Sequence, residues 1–448
     1  MTTFTAYLMS MMLAFQLILS LSILIILHEF GHYIPARIFK IRVEKFYLFF
    51  DPWFSLIKKK VKDTEWGIGW LPFGGYVKIA GMIDESMDTE QMKQEPKPWE
   101  FRSKPAWQRL IVMTGGVIVN FILGILLYAL TFAIWGEKVV PVENVKYGIH
   151  ANDVMKNAGL QDGDKIIALN GERPKSFMAI NNALLSDDIH TITVTRNGQN
   201  IDVKMPAGLG QQIVDNGTKS MPVAMRLPCV VDSVAVGSNA AAAGLLKHDS
   251  IIAFNGVSTI FYQDVVANIK ENKGKNNIPV QVKRSGNLVE LAVNVTEDGT
   301  IGFFPKADVQ QFGVEQINYS FFEAIPAGWN TAIETIGSYA GNLKYLFSKS
   351  GASQVGGFGT FAKLFPEEWN WAAFLRITAF ISLILAFMNI LPIPALDGGH
   401  VIFLLWEMIT GKAVSQKILE KTQMVGFFLL LTLMLWGNIM DIVRAIFG

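Results

Sequence analysis

The stretch HEFGH at residues 28–32 ends an apolar run that begins at Phe15. Its pattern is H-E-x-x-H, and on a helix positions i and i+4 lie on one face about one turn apart. His28 and His32 can therefore hold one metal ion, with Glu29 beside them to take a proton from a water on that metal. The same pattern also occurs by chance in unrelated proteins.

The setting of this motif favours a metal site over a chance match. Ionisable groups at membrane depth are costly, and they usually face a protein interior or a water-filled cavity. Here two histidines and a carboxylate follow a segment that is long enough to enter a bilayer. We therefore predict that His28 and His32 are metal ligands and that Glu29 is the catalytic residue.

The composition of the chain is unusually apolar. Hydrophobic residues make up 51% of the 448 residues and charged residues 17%, which is far to the apolar side of a soluble protein. The net charge of +1 predicts no nucleic-acid partner. The single cysteine, Cys229, cannot form an internal disulfide and is expected to be a buried small hydrophobe.

Four apolar segments each approach the roughly 20 residues that cross a hydrocarbon core. The region between the second and third segments is polar and has the mixed charge of a soluble domain. The predicted division is transmembrane helix 1 at 1–35, a loop at 36–108, helix 2 at 109–136, soluble domains at 137–220 and 221–308, an amphipathic helix (321–347) and linker at 309–370, helix 3 at 371–400, a loop at 401–422 and helix 4 at 423–445.

The distribution of basic residues predicts the orientation of these helices. The loop at 36–108 is rich in lysine and arginine, whereas residues 1–27 contain neither. Basic loops stay in the cytoplasm. We therefore expect this loop and the loop at 401–422 on the cytoplasmic side, and both termini and the two soluble domains on the opposite side.

The segment WGIGWLPFGGYVKIAGM at 66–82 mixes aromatic and β-branched residues with glycine and proline. This mixture predicts short strands and a tight turn. Its apolar character indicates that it touches or enters the membrane, where irregular backbone must be buried in protein or line a cavity. The alternative is an ordinary hairpin on the cytosolic surface.

The polar region contains an internal repeat. Residues 158–171 (AGLQDGDKIIALNG) align with 243–256 (AGLLKHDSIIAFNG), a period of 85 residues that fits two copies of a small domain. In each copy a turn leads into an I-I-A strand and then an Asn-Gly turn. His248 stands where the first copy has Gly163, so we expect a strained or altered turn there.

This repeat resembles the PDZ domain, whose pattern is A-G-L-x-x-G-D-x-I-x-x-x-N-G. PDZ domains bind extended peptides by adding a strand to a sheet edge. The resemblance therefore implies that peptide tails are partners of the two copies. The alternative is that one or both copies act only as a spacer or a plug over the membrane site.

The third apolar segment ends in NILPIPALDGGH at 389–400. Pro392 and Pro394 break the helix, and non-helical backbone at membrane depth must line a cavity. A catalytic zinc needs three protein ligands and an open position. Because the first and third segments reach the same side, Asp397 is the predicted third ligand. Alternatively, Asp397 caps the next helix, or His400 is the ligand.

The chain resembles the site-2 protease family of intramembrane zinc metalloproteases in three features. These are H-E-F-G-H in the first segment, N-x-x-P-x-P-x-L-D-G in the third, and the PDZ copies between them. The resemblance covers the whole chain. It implies one Zn²⁺ per chain on His28, His32 and Asp397, with Glu29 as the catalytic base. It further implies that Asn389 holds the substrate backbone and that 66–82 is a membrane-associated β-loop that binds substrate as an added strand. The predicted substrate-binding residues are Asn389, Gly67, Ile68, Gly69, Pro392 and Pro394.

The predicted fold is a polytopic α-helical membrane protein with four transmembrane helices, a membrane-associated β-hairpin and two inserted PDZ-like α+β domains. The resemblance implies a zinc metalloendopeptidase of the bacterial inner membrane, with the PDZ copies and both termini in the periplasm and the active site toward the cytoplasm.

The implied partners are the lipid bilayer and substrates with a single transmembrane segment. These are trimmed anti-sigma factors and remnant signal peptides, cut during an envelope stress response, with the PDZ pair as a size filter. The alternatives are a non-catalytic PDZ scaffold in the membrane and a metal transporter.

Overall fold

The computed structural model of the chain describes residues 3–82, 94–186, 188–216, 221–306 and 312–447. The chain forms two compact units. The helical unit consists of Met1–Gly136 and Asn318–Gly448, and the inserted unit is Glu137–Ile317. The predicted domain boundaries at 220 and 308, and residues 83–93 of the predicted loop, lie outside the described residues.

The helical unit begins with two long apolar helices and a β-hairpin between them. The second helix contacts both the first helix and a helix from the end of the chain. A hydrogen bond connects it to the latter, because Ser382 Oγ donates to the Asn120 carbonyl over 2.7 Å. The second helix is therefore central to this unit. The elements are α1 (Thr3–Ile38), β1 (Val43–Val61), β2 (Thr64–Ile79) and α2 (Ala106–Trp135).

The β1–β2 hairpin folds back on itself into four segments. Residues 45–48 pair on one side with 75–78 and on the other with 65–68, and 64–69 pair in turn with 55–61. The order across the sheet is 55–61, 64–69, 45–48 and 75–79. The structure therefore differs from the predicted short hairpin inside 66–82, because the sheet begins at Val43 and the turn between β1 and β2 lies at Lys62 and Asp63.

The inserted unit contains short strands and helices around two separate apolar cores. Three strands form the main sheet of the first copy, in the order β5-β6-β7, and four form that of the second, in the order β11-β10-β12-β13. The elements are β3 (Glu137–Val139), β4 (Ile149–Ala151), α3 (Asp153–Asn157), β5 (Lys165–Leu169), α4 (Phe177–Leu184), β6 (Thr191–Arg196), β7 (Gln199–Lys204), α5 (Leu209–Asp215), β8 (Val223–Met225), β9 (Val231–Val234), α6 (Asn239–Ala242), β10 (Ser250–Phe254), β11 (Val257–Ser258), α7 (Tyr262–Glu271), β12 (Ile278–Arg284), β13 (Asn287–Val293), β14 (Phe303–Pro305) and β15 (Glu315–Ile317).

The two copies share a buried ion pair at the same place. Arg196 donates to both carboxylate oxygens of Asp164 over 2.7 Å, and Arg284 donates to both oxygens of Asp249 over 2.8 and 2.7 Å. Burial raises the pKa of Asp249, but the hydrogen bonds from Arg284 and from the Leu246 amide hold that pKa below its usual value. The repeat in the sequence is therefore also a repeat in side-chain contacts.

The turns of the repeat follow the sequence prediction. Asn170 and Asn255 have φ of 50° and 53°, as an Asn-Gly turn requires. Gly163 has φ of 95°, and His248 keeps the left-handed conformation with φ of 73°. The expected strain is therefore present in the second copy, because a side chain with a Cβ is disfavoured at positive φ.

Cys229 belongs to the core of the second copy and is fully buried, as the sequence predicts. Burial raises the pKa of its thiol to about 12, so the side chain is neutral. It serves as a small apolar residue in this core.

The chain returns to the helical unit after β15. A one-turn 3₁₀ helix, Leu343–Phe347, continues the first helix of this part, so that helical structure covers the predicted 321–347. The elements are α8 (Phe321–Asn342), α9 (Lys349–Gln354), α10 (Phe358–Ala362), α11 (Trp371–Ile390), α12 (Asp397–Thr410) and α13 (Gln416–Phe447).

Among the described residues, four helices are long and apolar enough to cross a membrane, as the sequence predicts. They are Met9–Ile38, Ala106–Trp135, Trp371–Ile390 and Gln416–Ile446. Two predicted boundaries are wrong. The third span ends at Ile390 and not at residue 400, because Pro392 and Pro394 interrupt it. Much of the predicted loop at 401–422 is helix, because the apolar run after Asp397 forms α12 until Gly411 ends it with φ of 71°.

Candidate active site

The two histidines of the motif face the same side of α1. Their Nε2 atoms are 3.2 Å apart, as the i, i+4 spacing requires. Gly116 of α2 lies directly beside the rings, and a Cβ at this position would come within 2.6 Å of Cε1 of His28. A glycine in α2 is therefore needed to make room for the imidazoles.

Asp397 reaches the histidines from the opposite part of the sequence. After α11 ends, the non-helical segment 391–396 carries the chain to α12, whose first residue is Asp397. Its Oδ2 lies 3.3 Å from Nε2 of His28 and 3.4 Å from Nε2 of His32. Asp397 makes no side-chain cap for α12, because Leu396 is the N-cap residue and no cap hydrogen bond forms.

These three ligand atoms fit a tetrahedral zinc ion. Donor atoms about 2.1 Å from such an ion lie about 3.4 Å from one another, and the three observed separations are 3.2, 3.3 and 3.4 Å. Oδ2 of Asp397 is buried and has no hydrogen-bond partner among the described residues. A buried acceptor oxygen beside two imidazole nitrogens, with no donor among the described residues, has the chemistry of a metal ligand.

Residues of α2 contact Nδ1 of both histidine rings and so fix the orientation of the rings. Nδ1 of His32 lies 2.8 Å from the carbonyl oxygen of Val112, which only accepts, so Nδ1 carries the proton and Nε2 keeps its lone pair for the metal. Nδ1 of His28 lies 3.2 Å from the side-chain amide nitrogen of Asn120. The amide oxygen of Asn120 is buried without a partner in the described part of the chain.

If the oxygen and nitrogen of the Asn120 amide are exchanged, the buried oxygen without a partner becomes the atom that contacts Nδ1 of His28. The two atoms differ only by assignment, and the exchanged amide accepts a hydrogen bond from Nδ1–H of His28. Both metal-facing nitrogens are then Nε2, as for His32. Asn120 was not among the residues predicted from the sequence, although it is a polar residue deep in an apolar segment, as Asn389 is.

Glu29 and Asn389 line the same cavity of ≈ 850 Å³ as His28, His32 and Asp397. The structure thus brings the predicted base, the predicted ligands and the predicted substrate-binding asparagine to one place.

The break between α11 and α12 shapes one wall of this cavity. Ala395 and Leu396 line it, and Ala395 has a φ of 72°, a conformation that an alanine adopts only under constraint from its surroundings. Pro392 and Pro394 terminate α11 but do not belong to the described lining of the cavity. Their role in the structure is therefore to shape the segment that presents Asp397.

The structure does not place Gly67, Ile68 and Gly69, which were predicted to bind substrate, at an edge of the sheet. Gly67 pairs with both Tyr47 and Lys58, so its segment is an inner strand of the sheet with partners on both sides. None of these three residues is part of the cavity lining that the structure describes. Residues 75–79 lie at the outside of the sheet, pair only with 43–48 within the described chain, and line the cavity.

His400 is not part of the ligand cluster. Its Nε2 is hydrogen-bonded to the side-chain amide of Gln423 in α13. In the described part of the chain, His28, His32 and Asp397 are the group of side chains whose ligand atoms converge for a metal. The alternative in which His400 replaces Asp397 therefore finds no support in this geometry.

The fold and the site together define a membrane metalloprotease, and the sequence comparison agrees. The profile of Peptidase family M50 matches residues 16–433, and the chain belongs to this family. The prediction of an enzyme of the site-2 protease type is confirmed, in preference to a scaffold or a transporter.

Relatives of similar length carry corresponding names. The chain is 29% identical over 447 residues to the "Regulator of sigma-E protease RseP" of Escherichia coli K12, covering 93% of this chain and 95% of that protein. It is 28% identical to the protein of the same name in Salmonella typhimurium, with the same coverage. A relative from Vibrio cholerae, 29% identical over 95% of this chain and 97% of its own length, is named as a zinc metalloprotease. Zinc is accordingly the metal of this enzyme.

Proposed function

We propose that this enzyme hydrolyses peptide bonds inside the transmembrane segments of its substrates, with His28, His32 and Asp397 as zinc ligands and Glu29 as the general base. The observation that carries the proposal is the group of three ligand atoms 3.2–3.4 Å apart in a cavity that Glu29 also lines. When bound, zinc supplies a Lewis acid for the scissile carbonyl and lowers the pKa of a bound water.

The residues of the chain then provide proton transfer and substrate positioning. Glu29 accepts the proton of the attacking water and delivers it to the leaving nitrogen. A helical substrate hides its carbonyl groups in i→i−4 hydrogen bonds and must unwind before it is cut. The outer strand at 75–79, which lines the cavity, binds the unwound segment as an added strand, and the Asn389 amide binds a backbone group that unwinding exposes.

We propose a location and a substrate class from the charge pattern and from the names of the relatives. The basic residues between α1 and α2 support an inner-membrane protein whose active site faces the cytoplasm and whose termini and inserted unit face the periplasm. The names of the relatives refer to sigma-E regulation. We extend this to substrates with one transmembrane segment, namely trimmed anti-sigma factors in an envelope stress response and remnant signal peptides.

The inserted unit is proposed to be a tandem of PDZ-like domains that filters substrates by size. Two apolar cores, the repeated ion pairs and the repeated Asn-Gly turns support two domains of one type. A bulky domain outside the membrane would be kept from the site, and a trimmed substrate would pass. Capture of peptide tails by a sheet edge is the alternative role for the same domains.

The test is cleavage of a single-span substrate by purified full-length protein. Wild type is compared with Glu29→Gln and with the exposed control Glu368→Gln, each with and without a zinc chelator. We expect Glu29→Gln to lose about 10²- to 10⁴-fold in rate, the chelated samples to be inactive and Glu368→Gln to match wild type. Cleavage that survives Glu29→Gln would contradict the assigned base.

A further inference from the structure

A second cavity lies at the end of α1, away from the zinc ligands. It has a volume of ≈ 430 Å³ and belongs to the helical unit. Three of its lining residues are cations and one is an anion, so the side chains around it carry a net charge of two positive units. The lining residues are Arg37, Lys40, Ile41, Arg42, Asp63 and Trp99.

The three cations around this cavity form no ion pair with the described residues. Within the part of the chain that the structure describes, no side-chain hydrogen bond or ion pair is made by Arg37, Lys40 or Arg42. Nε of Arg42 is moreover buried and has no hydrogen-bond partner there. A buried guanidinium N–H without an acceptor is costly unless a ligand supplies one.

The backbone at Lys40 ends α1 in a left-handed conformation. The Ile41 amide donates to the Ala36 carbonyl over 2.8 Å and the Lys40 amide donates to the Arg37 carbonyl over 3.1 Å, which is the Schellman motif. The residue after the helix end in this motif is usually glycine, because it must adopt a left-handed conformation. Lys40 occupies that position with φ of 59°, and its side chain lines the cavity.

Two ordinary explanations account for only part of this arrangement. Cations near the C-terminal end of a helix are favoured by the helix dipole, which accounts for Arg37 and Lys40. A basic loop on the cytoplasmic side accounts for the number of charges. Neither explanation requires a buried, unpartnered Nε at Arg42 or a lysine at a position that favours glycine.

We propose that this cavity binds a phosphate group, held by Arg37, Lys40 and Arg42. Arginine and lysine around a pocket at a membrane surface match the charge and hydrogen-bonding needs of a phosphate. A free phosphate and the headgroup of an anionic phospholipid share this chemistry. The lipid is favoured because Ile34 and Ile38, one turn apart on α1, are 52% and 68% exposed and provide an apolar surface next to the cations for an acyl chain.

A ligand in this cavity would stabilise the contacts among three parts of the helical unit, which are the end of α1, the segment at Trp99 and the end of β2. The Arg42 amide donates to the Trp99 carbonyl over 2.9 Å, and the Arg42 carbonyl accepts from the Ala80 amide over 3.0 Å. Ala80 directly follows β2, whose residues 75–79 line the zinc cavity. A bound phosphate would therefore stabilise the end of α1 and, through Arg42, the strand beside the active site.

The test uses delipidated full-length protein in detergent and native mass spectrometry. The probes are dioctanoyl phosphatidylglycerol, dioctanoyl phosphatidylcholine and inorganic phosphate. We expect phosphatidylglycerol to bind more tightly than phosphatidylcholine, and Arg42→Gln to weaken its binding at least tenfold. The control Lys60→Gln removes the same charge from an exposed position that does not line this cavity and should bind as wild type does.

Lys40→Gly keeps the test decisive if Arg42→Gln fails to fold. Glycine relieves the left-handed conformation, so this variant should unfold at a higher temperature than wild type and yet bind phosphatidylglycerol less tightly. Binding of phosphatidylglycerol without binding of phosphate identifies a headgroup site, and binding of inorganic phosphate alone identifies a free-phosphate site. Absence of binding by wild type, or binding unchanged in both variants, would overturn the proposal.

Discussion

The side-chain amide of Asn120 lies 3.2 Å from Nδ1 of His28, on the side of the ring that faces away from the metal-binding nitrogen. Two turns earlier in α2, the Val112 carbonyl contacts Nδ1 of His32 in the same way, over 2.8 Å. The second helix thus holds both imidazole rings of the first. The metal site therefore depends on three helices, although only α1 and α12 contribute ligand atoms.

Asn120→Ala tests this positioning role. Removing the partner of a metal-binding histidine leaves its ring free to rotate and typically costs 10- to 100-fold in metal affinity. We expect a loss of that size in zinc affinity, measured by competition with a chelator of known affinity, and a proportional loss of cleavage at limiting zinc that excess zinc restores.

The matched control is Thr131→Ala, which removes a polar side chain from the same helix away from the ligands. It should leave zinc affinity unchanged. If both variants lower the unfolding temperature equally and neither changes zinc affinity, Asn120 is only a structural residue of α2.

The outer strand at 75–79 gives a second prediction. The Ala80 amide donates to the Arg42 carbonyl over 3.0 Å, so by alternation the Val77 amide points away from β1. Val77→Pro removes this outward N–H and leaves the sheet bonds of its neighbours in place. Because one backbone hydrogen bond contributes about 0.5–1.5 kcal/mol, we expect kcat/KM to fall about twofold to twelvefold.

The control for this variant is proline at the other outer segment of the same sheet. Ile57→Pro alters the 55–61 edge, which does not line the zinc cavity. Its cleavage rate should stay near that of wild type. Equal losses in both variants, tracking their unfolding temperatures, would mean that sheet stability and not substrate pairing limits the reaction.

Comparison of these residues shows what the sequence could and could not predict. His28 and His32 were predictable because the i, i+4 spacing is local, and Asp397 was predictable because the prolines before it mark a break at membrane depth. Asn120 required knowledge of which face of α2 meets α1, and no local pattern carries that information. The sequence could not show which part of 66–82 lies at the outside of the sheet, because β1 pairs along two of its stretches and the irregular register that allows this is not visible in the residue pattern.

The strained turn in the second copy of the inserted unit gives a third prediction. His248 has φ of 73° where Gly163 has 95° in the first copy. Left-handed backbone costs about 1–2 kcal/mol for a residue with a Cβ, and glycine loses about 0.5–1 kcal/mol more entropy on folding. His248→Gly should therefore stabilise the second copy by about 0.5–1 kcal/mol, measured as slower hydrogen exchange of β10 and β12 amides in the full-length protein.

The reverse substitution in the first copy should act in the opposite direction. Gly163→Ala should speed hydrogen exchange in β5 and β6, since alanine cannot adopt φ of 95° without strain. Unchanged exchange for both variants would mean that the two turns relax at no cost.

Removal of the inserted unit tests the size filter. Deleting residues 138–304 is the direct form of the experiment, but the pairing of Glu315 with Val139 offers a cleaner design, because β3 and β15 close the unit at its two chain ends. Replacing 140–314 by a short glycine-serine turn keeps these strands as a hairpin and removes both apolar cores.

We expect this variant to cut a substrate whose outer domain is intact, which wild type leaves uncut, and to cut a trimmed substrate at the wild-type rate. The same replacement combined with Glu29→Gln should cut neither, which separates loss of filtering from a contaminating protease. If the shortened enzyme still rejects the intact substrate while cutting the trimmed one, selection resides in the helical unit and the filter role is wrong.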